Sequence, residues 1–185
     1  MNSFVGYAEK EGILPAGSLS TEYRDRFITS YPFMPEVIDI LYQRWGSYPT
    51  FQRTRGVLRL LSLIIHSLKD TNKPYISLAD FDLAHQEIRQ GLLKHIGAQF
   101  NSVIGADIRD DQSGSKKVNV SLGNAYKGLH LGTRSATTIF LYSFSGGIEH
   151  GATMGEIKRS ATTVENPASV VAEAVEQLKT KLFYL

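Results

Sequence analysis

The sequence predicts an all-α protein, in which a helical lid-type bundle is followed by a truncated winged helix-turn-helix. Apolar residues recur at helical spacing along most of the chain, and prolines, glycines and capping residues divide it into short helices. Near its end the chain has the order helix, short helix, longer helix and strand, which is typical of a winged helix-turn-helix. The strand would be Leu182-Phe183-Tyr184-Leu185. Because a strand is unstable without a partner, we expect a domain that is cut before its β-hairpin wing.

Composition and charge narrow the class of protein. The 185 residues are 42% hydrophobic, which is enough for a packed core, and the net charge of +2 argues against a general nucleic-acid binder. The absence of cysteine excludes disulfides and thiolate metal sites, and it fits a cytoplasmic protein. The sequence has no secretory signal and no apolar run of the roughly 18 residues that a membrane span needs. We therefore expect a cytoplasmic protein without membrane contact.

The first part of the chain predicts a lead-in and three helices. Residues 1–19 are expected to be a weakly structured lead-in segment, because they contain Gly12, Pro15 and Gly17. Helices are predicted over residues 20–30 and 35–45, with Pro35 at the first helical position of the second. A third helix is predicted from residue 50 or 54 to residue 69.

The third of these helices carries two stripes. Its apolar residues fall at the spacing of one buried face: Val57, Leu58, Leu60, Leu61, Ile64, Ile65 and Leu68. A second stripe at the same spacing holds Arg55, Arg59, Ser62 and His66. One reading of this stripe is an ordinary solvated face. The other is an anion-binding surface, because Arg53 and Arg55 lie in the first turn, where the helix dipole disfavours cations.

The remaining pattern predicts two regions on either side of a loop. After a capping box at Ser77–Asp80, helices are expected over residues 83–96 and 99–108, and residues 109–117 read as a solvated loop. This loop divides a helical lid-like bundle, residues 20–112, from a winged-helix-like domain, residues 118–185.

In the second region, one or two helices should run from residue 119 to about 144 and end at Gly146-Gly147. A short helix should start from the capping box Thr153–Glu156 and a final helix after Asn166-Pro167. Lys158, Arg159 and Lys181 are candidates for weak nucleic-acid binding. Two acids near the middle of the final helix would repel phosphate, so DNA binding is not favoured.

No complete active site is visible. The chain has no G-x-x-x-x-G-K-[ST] loop, its histidines lack the spacing of metal ligands, and no serine or threonine has the context of a nucleophile elbow. Asp107, Asp110 and Asp111 lie at a helix end and loop, where carboxylates are usually solvated. We therefore predict that the chain alone is not an enzyme and has no catalytic or metal site.

Several runs resemble a family of large prokaryotic P-loop ATPases with AAA+-like lids, often described only as ATP-binding proteins. The matching runs are Tyr31–Pro35, Leu41–Gly46, Phe51–Leu61, Ala136–Phe144 and Gly151–Ile157. The similarity extends from about Tyr23 to Leu185. The family usually reads Tyr-Pro-Phe-His-Pro where this chain has Met34 in the histidine position, which puts any role of that histidine in question here.

The resemblance implies a role for the arginines. The run Arg53–Leu61 is similar to the lid helix of initiator-type AAA+ ATPases, in which an arginine called sensor 2 contacts the terminal phosphates of the nucleotide. Residue matching places Arg55 in that role, with Arg53 and Arg59 as weaker candidates for a second phosphate or for an acidic group across a subunit boundary. By implication, ATP and Mg belong to the parent protein, and neither is expected to be bound to this fragment.

The leading hypothesis is therefore a non-catalytic lid and winged-helix part that senses nucleotide and couples hydrolysis to movement. Its partner would be the P-loop domain of the same parent chain, with homo-oligomerisation open. The alternatives are a winged-helix DNA-binding regulator and a purely structural helical interaction domain.

Overall fold

The protein is described by a computed structural model that covers residues 2–145, 151–164 and 166–185, without the side chains of Asn2 and Arg53. In these ranges the chain is all-α and forms no strand, although Phe33 and Ile76 make an isolated parallel bridge. The α-helices are α1 (Asn2–Lys10), α2 (Ser20–Ser30), α3 (Pro35–Asp39), α4 (Arg53–Leu68), α5 (Gln86–Ile96), α6 (Phe100–Ile104), α7 (Gly114–Ser121), α8 (Leu131–Ser143), α9 (Met154–Ala161) and α10 (Ala168–Lys181). None of the described helices is long and apolar enough to cross a bilayer.

The expectation of a weakly structured lead-in is wrong, because α1 is part of the core. Phe4 and Ala8 are fully buried on one face of this helix. The ring of Phe4 meets that of Phe27 edge-on, with 6.1 Å between their centroids. The hydroxyl of Tyr7 donates to the carbonyl oxygen of Asn166 at 2.5 Å. The helix therefore packs against α2 and also against the segment that precedes α10.

The helix predicted over residues 35–45 changes its winding along its length. α3 continues into a π-helical turn, Ile40–Arg44, and then a 3₁₀ turn, Trp45–Ser47. Trp45 is fully buried, and its indole N–H donates to the carbonyl oxygen of Leu141 at 2.9 Å. Arg44 donates to the carbonyl oxygens of Tyr142 and Gly151 at 2.6 and 2.8 Å. This segment is consequently fixed to the end of α8.

α4 buries only part of its predicted apolar face. Val57, Leu60 and Ile64 lie in the core, whereas Leu58 is 62% exposed and Ile65 is 46% exposed. The seven apolar residues cover nearly half of the helix circumference at about 100° per residue. The turns of residues 40–51 and α5 cover only one side of that arc, at Val57, Leu60 and Ile64. The prediction that Leu58 and Ile65 are buried is therefore wrong.

The predicted solvated loop is shorter than expected. α7 begins at Gly114, and Ser113, Gly114 and Ser115 are buried. A Cβ atom on Gly114 would lie 2.4 Å from the carbonyl oxygen of Lys181, so only glycine allows the start of α7 to approach the end of α10 this closely. The apolar core contains residues from both sides of this loop. The division of the chain at this point stays a prediction.

Two further expectations concern the second half of the chain. The capping box of α9 is confirmed, because Glu156 N–H donates to Thr153 Oγ1 at 3.3 Å and Thr153 N–H to Glu156 Oε2 at 2.7 Å. α7, α9 and α10 pack around α8. The expected glycine stop at residues 146–147 lies outside the described residues.

The end of the chain does not start a strand. Residues 183–185 instead donate three backbone N–H groups to the carboxylate of Asp107, at 2.8, 2.9 and 3.1 Å. Asp107 is fully buried, so the expectation that its side chain is solvated is also wrong. Its charge is stabilised by hydrogen bonds instead of by water.

Two buried ion pairs connect distant parts of the sequence. Glu36 on α3 accepts from the guanidinium of Arg159 on α9 at 2.8 Å, and it also accepts from the hydroxyl of Tyr23. Asp80 accepts from Arg134 and from Lys73. Burial alone would raise the pKa of Asp80, but the charges of Arg134 and Lys73 outweigh it and lower that pKa. Both pairs position the two halves of the chain relative to each other.

Breaking the Glu36–Arg159 pair should destabilise the protein strongly. Arg159→Met leaves a buried carboxylate without its charge partner, which costs about 3–5 kcal/mol in the free energy of unfolding. The matched control is Arg26→Met, which removes the surface pair with Asp39 and should cost at most about 1 kcal/mol. Urea unfolding at pH 7 measures both, and equal losses would contradict a structural role for the buried pair.

Candidate anion-binding site on α4

The arginine stripe lies on the exposed side of α4, whose other side packs against the core. The buried face of α4 fixes its axis, and a 3₁₀ turn at Pro49–Phe51 leads into its first residue. Gln52, just before the helix, has a left-handed conformation with φ of 53°, and no side chain caps the first turn. Within the described part of the chain, the positive end of this helix dipole therefore has neither a capping side chain nor an acid in its first turn.

Gly56 brings the start of α4 close to the preceding turn. A Cβ atom at this position would lie 1.8 Å from the carbonyl oxygen of Phe51. No residue other than glycine fits without moving the backbone. This contact fixes the position of the first turns of α4, which carry Arg55 and Arg59, relative to Phe51.

Arg55 and Arg59 are both exposed, one turn apart on the same side of α4. Neither guanidinium makes a hydrogen bond or ion pair within the part of the chain that the structure describes. Ser62 and His66 continue this exposed stripe. The backbone of Arg53 begins α4, but its side chain lies outside the described residues. The predicted roles of the three arginines stay predictions.

α5 adds two residues that the sequence pattern did not single out. Lys94 is exposed, and His95 lies beside it, within 2.9 Å of the hydroxyl of Thr50 through Nδ1. The imidazole ring also meets the ring of Phe51 edge-on, with centroids 4.9 Å apart. A small cleft between α4 and α5 is lined by Arg59, Lys94 and His95 and by the apolar residues beneath them.

His95 lies in a partly buried environment next to two positive charges. Burial, together with the positive charges of Lys94 and Arg59, lowers the pKa of this imidazole to about 4. His95 is therefore neutral at pH 7, as an imidazole next to unneutralised cations should be. Among the described residues no carboxylate lines this cleft, so its rim at Arg59 and Lys94 can attract an anion, although a volume of about 20 Å³ is too small to enclose a phosphate.

The weak nucleic-acid candidates do not form one surface. Arg159 is buried, paired with Glu36, and donates to the carbonyl oxygen of Ile13 at 2.8 Å. It is thus unavailable to a nucleic acid, contrary to our expectation, because its charge stabilises the core. Lys158 is partly exposed on α9, and Lys181 is exposed at the end of α10.

Met34 and the titratable clusters offer no second site. Met34 is buried, and its backbone N–H donates to the carbonyl oxygen of Ile76 at 2.9 Å, so this position belongs to the core. Among the described residues, no three histidine, aspartate or glutamate side chains are grouped so that they could hold a metal ion.

Comparison with known proteins gives one match. The model of a protein family described as DUF499 second domain matches residues 10–176, from the end of α1 to the second half of α10. No curated protein and no solved structure matches the chain.

The two glycines that border the cleft should respond in opposite ways to alanine. Gly56→Ala drives a methyl group into the Phe51 carbonyl and should cost about 2 kcal/mol or more in the free energy of unfolding. Gly91→Ala on α5 meets open space and should stabilise by about 0.5–1 kcal/mol, because alanine favours the helix. Thermal unfolding followed by circular dichroism compares them. A harmless Gly56→Ala would show that the close approach does not exist.

His95 should titrate well below its ordinary pKa of 6.5. Between pH 6.5 and 4 the unfolded chain then binds more protons than the folded chain, so stability should fall as the pH is lowered through this window. Arg59→Ala removes one neighbouring charge and should raise the pKa of His95, whereas Lys127→Ala, far along the chain, should not change it. Proton NMR of the imidazole measures the pKa directly. A pKa near 6.5 in the unaltered protein would contradict the described burial and cationic surroundings of the ring, and an unchanged pKa in Arg59→Ala would contradict the cationic surroundings alone.

Proposed function

Since the chain belongs to the family described as the DUF499 second domain, we propose that it is a non-catalytic lid and winged-helix part of a P-loop, AAA+-like ATPase. In this proposal Arg55 acts as the sensor 2 arginine, contacting the terminal phosphates of a nucleotide held by the P-loop domain of the same parent chain. ATP and Mg would be bound mainly by that domain.

The observation that carries the proposal is an exposed arginine that has no acidic partner among the described residues and whose backbone is held in place by the packing of α4. Arg55 stands on a helix whose opposite face is buried, and no acid of the described chain pairs with it. A guanidinium suits phosphate because it is always charged and presents a planar fork of donors. During phosphoryl transfer the terminal phosphate gathers negative charge, which such a donor stabilises without reorganising.

Neighbouring groups support the same ligand. Arg59 and Lys94 extend the positive surface from α4 to α5, and the uncapped start of α4 adds its dipole. A polyphosphate has several oxygens to distribute over such an array, whereas a single carboxylate would leave most of it unused. Arg53 lies in the same first turn and would serve either a second phosphate or an acidic group across a subunit boundary.

The coupling of hydrolysis to movement follows from how α4 is attached. The turns that pack beneath α4 are joined to α8 through Trp45 and Arg44. A displacement of Arg55 toward or away from phosphate would therefore move α8 and the helices around it. We assign α8, α9 and α10 to the helical part of a winged helix in the parent, acting in the cytoplasm.

The DNA-binding regulator is the weaker alternative. Burial removes Arg159 from the surface, and Glu173 and Glu176 are exposed on α10. The remaining candidates, Lys158 and Lys181, offer little charge for phosphate contacts.

Arg55→Ala should slow ATP hydrolysis by the parent protein about 100-fold or more, since the charge that stabilises the transferring phosphoryl group is lost. The residue is exposed and unpaired, so the thermal unfolding of this chain should be unchanged.

Lys117→Ala, an exposed cation on α7, is the matched control and should leave turnover as it is. Steady-state ATPase assays and circular dichroism distinguish these outcomes. Unchanged turnover in Arg55→Ala would remove Arg55 from the mechanism.

A further inference from the structure

α4 has a second exposed surface beside its cationic stripe. Leu58, Leu61 and Ile65 follow one another at intervals of three and four residues and form an apolar strip along the helix. Leu58 is 62% exposed, Ile65 is 46% exposed, and Leu61 between them is half-buried. The strip lies on the side of α4 that faces away from the small cleft at α5.

The apolar strip continues into a cleft of about 680 Å³ between α4 and the corner that joins α2 to α3. Its apolar walls are Tyr31, Pro32, Phe33, Pro35, Ile38 and Leu61. The ring of Tyr31 is 57% exposed at its mouth. Single exposed apolar side chains are common on protein surfaces. A contiguous apolar surface that opens into a cleft is typical of a protein interaction site.

The charges along the apolar strip identify the chemistry of the occupant. One long edge of the strip is followed by Lys69, Arg55, His66 and Arg59, and residues 53–69 include no acid. At the cleft, Arg26 is neutralised by Asp39 at 2.6 Å, and Asp25, which also lines it, lies 3.3 Å from Arg24. The long edge therefore carries an uncompensated positive charge next to an apolar surface.

This charge argues against a second copy of the chain as the occupant. In a two-fold dimer that pairs the strips of antiparallel α4 helices, the cationic edges of both copies would lie side by side and repel each other. A partner with carboxylates at that edge would instead gain electrostatic complementarity. The strip spans seven residues, or about 10 Å of helix axis, which matches two turns of a partner helix.

We propose that the apolar strip and its cleft bind an amphipathic helix of a partner protein, with apolar anchors at i, i+3 or i+4 and i+7 and with acidic residues along the edge that faces Lys69 and Arg55. This is helix-in-groove recognition, and it shares only Arg55, at the border of the two surfaces, with the proposed nucleotide contact. Leu58 and Ile65 would become buried in the complex, which explains why a helix exposes two large apolar side chains.

Three synthetic helical peptides with the same apolar face test the proposal. Their flanking edge carries glutamate, glutamine or lysine, and binding is followed by fluorescence anisotropy and by amide NMR shifts of this protein. The glutamate peptide should bind at least about tenfold more tightly than the lysine peptide, with shifts centred on Leu58, Leu61 and Ile65. Lys69→Glu should reduce or reverse that preference.

Variants distinguish binding at the apolar strip from non-specific hydrophobic binding. Leu58→Ser combined with Ile65→Ser should reduce the affinity for the glutamate peptide at least about tenfold. Val120→Ser removes an equally exposed apolar residue on α7 and should have no effect.

Absence of binding up to millimolar peptide, or shifts located elsewhere, would overturn the proposal. So would a concentration-dependent dimer in sedimentation that the double serine variant abolishes, because a second copy would then occupy the strip. Arg55 is unchanged in every variant, so failure of the peptide-binding tests would not contradict the proposed nucleotide contact. Unchanged ATP hydrolysis in Arg55→Ala would likewise not contradict the proposed partner-helix site.

Discussion

One-sided packing of α4 is the constraint on which the rest of the structure depends. A 16-residue helix with eight apolar residues could be buried in the core. Here only the arc at Val57, Leu60 and Ile64 is covered. The other half faces outward and divides into a cationic stripe and an apolar strip. Gly56 secures this arrangement, because the approach to the Phe51 carbonyl fixes the start of the helix. Burying the whole helix would remove both surfaces, and with them the proposed contacts to phosphate and to a partner protein.

Buried polar groups give that helix a rigid base. Glu36 and Asp80 each lie far in sequence from an arginine that neutralises them, Arg159 and Arg134. A buried ion pair adds little net stability, yet losing one partner is costly. Such pairs therefore penalise any packing that separates the two halves of the chain. The proposed role as a lid that transmits movement requires this property, because motion at α4 would be useful only if α8 followed it.

Local sequence signals predicted where the helices lie more successfully than they predicted which side chains are buried. Proline, glycine and capping boxes marked most helix ends, and the Thr153–Glu156 box formed as expected. The pattern failed where tertiary contacts decide: α1 is ordered by Phe4 in the core, and Asp107 is buried because it caps the end of the chain. Arg55 and Arg59 could be found from periodicity alone. Lys94 and His95 could not, because their proximity to α4 depends on how α5 packs, which no local spacing encodes.

The central claim is that the outward side of α4 is a phosphate-binding surface, and amide NMR during a titration with inorganic tripolyphosphate at low salt tests it most directly. The account predicts saturable shifts confined to the first two turns of α4 and the last turn of α5, around Arg55, Arg59 and Lys94. The response should weaken as salt is raised, since the contact is electrostatic. Shifts spread evenly over the surface lysines, or no saturable shift at α4, would contradict it.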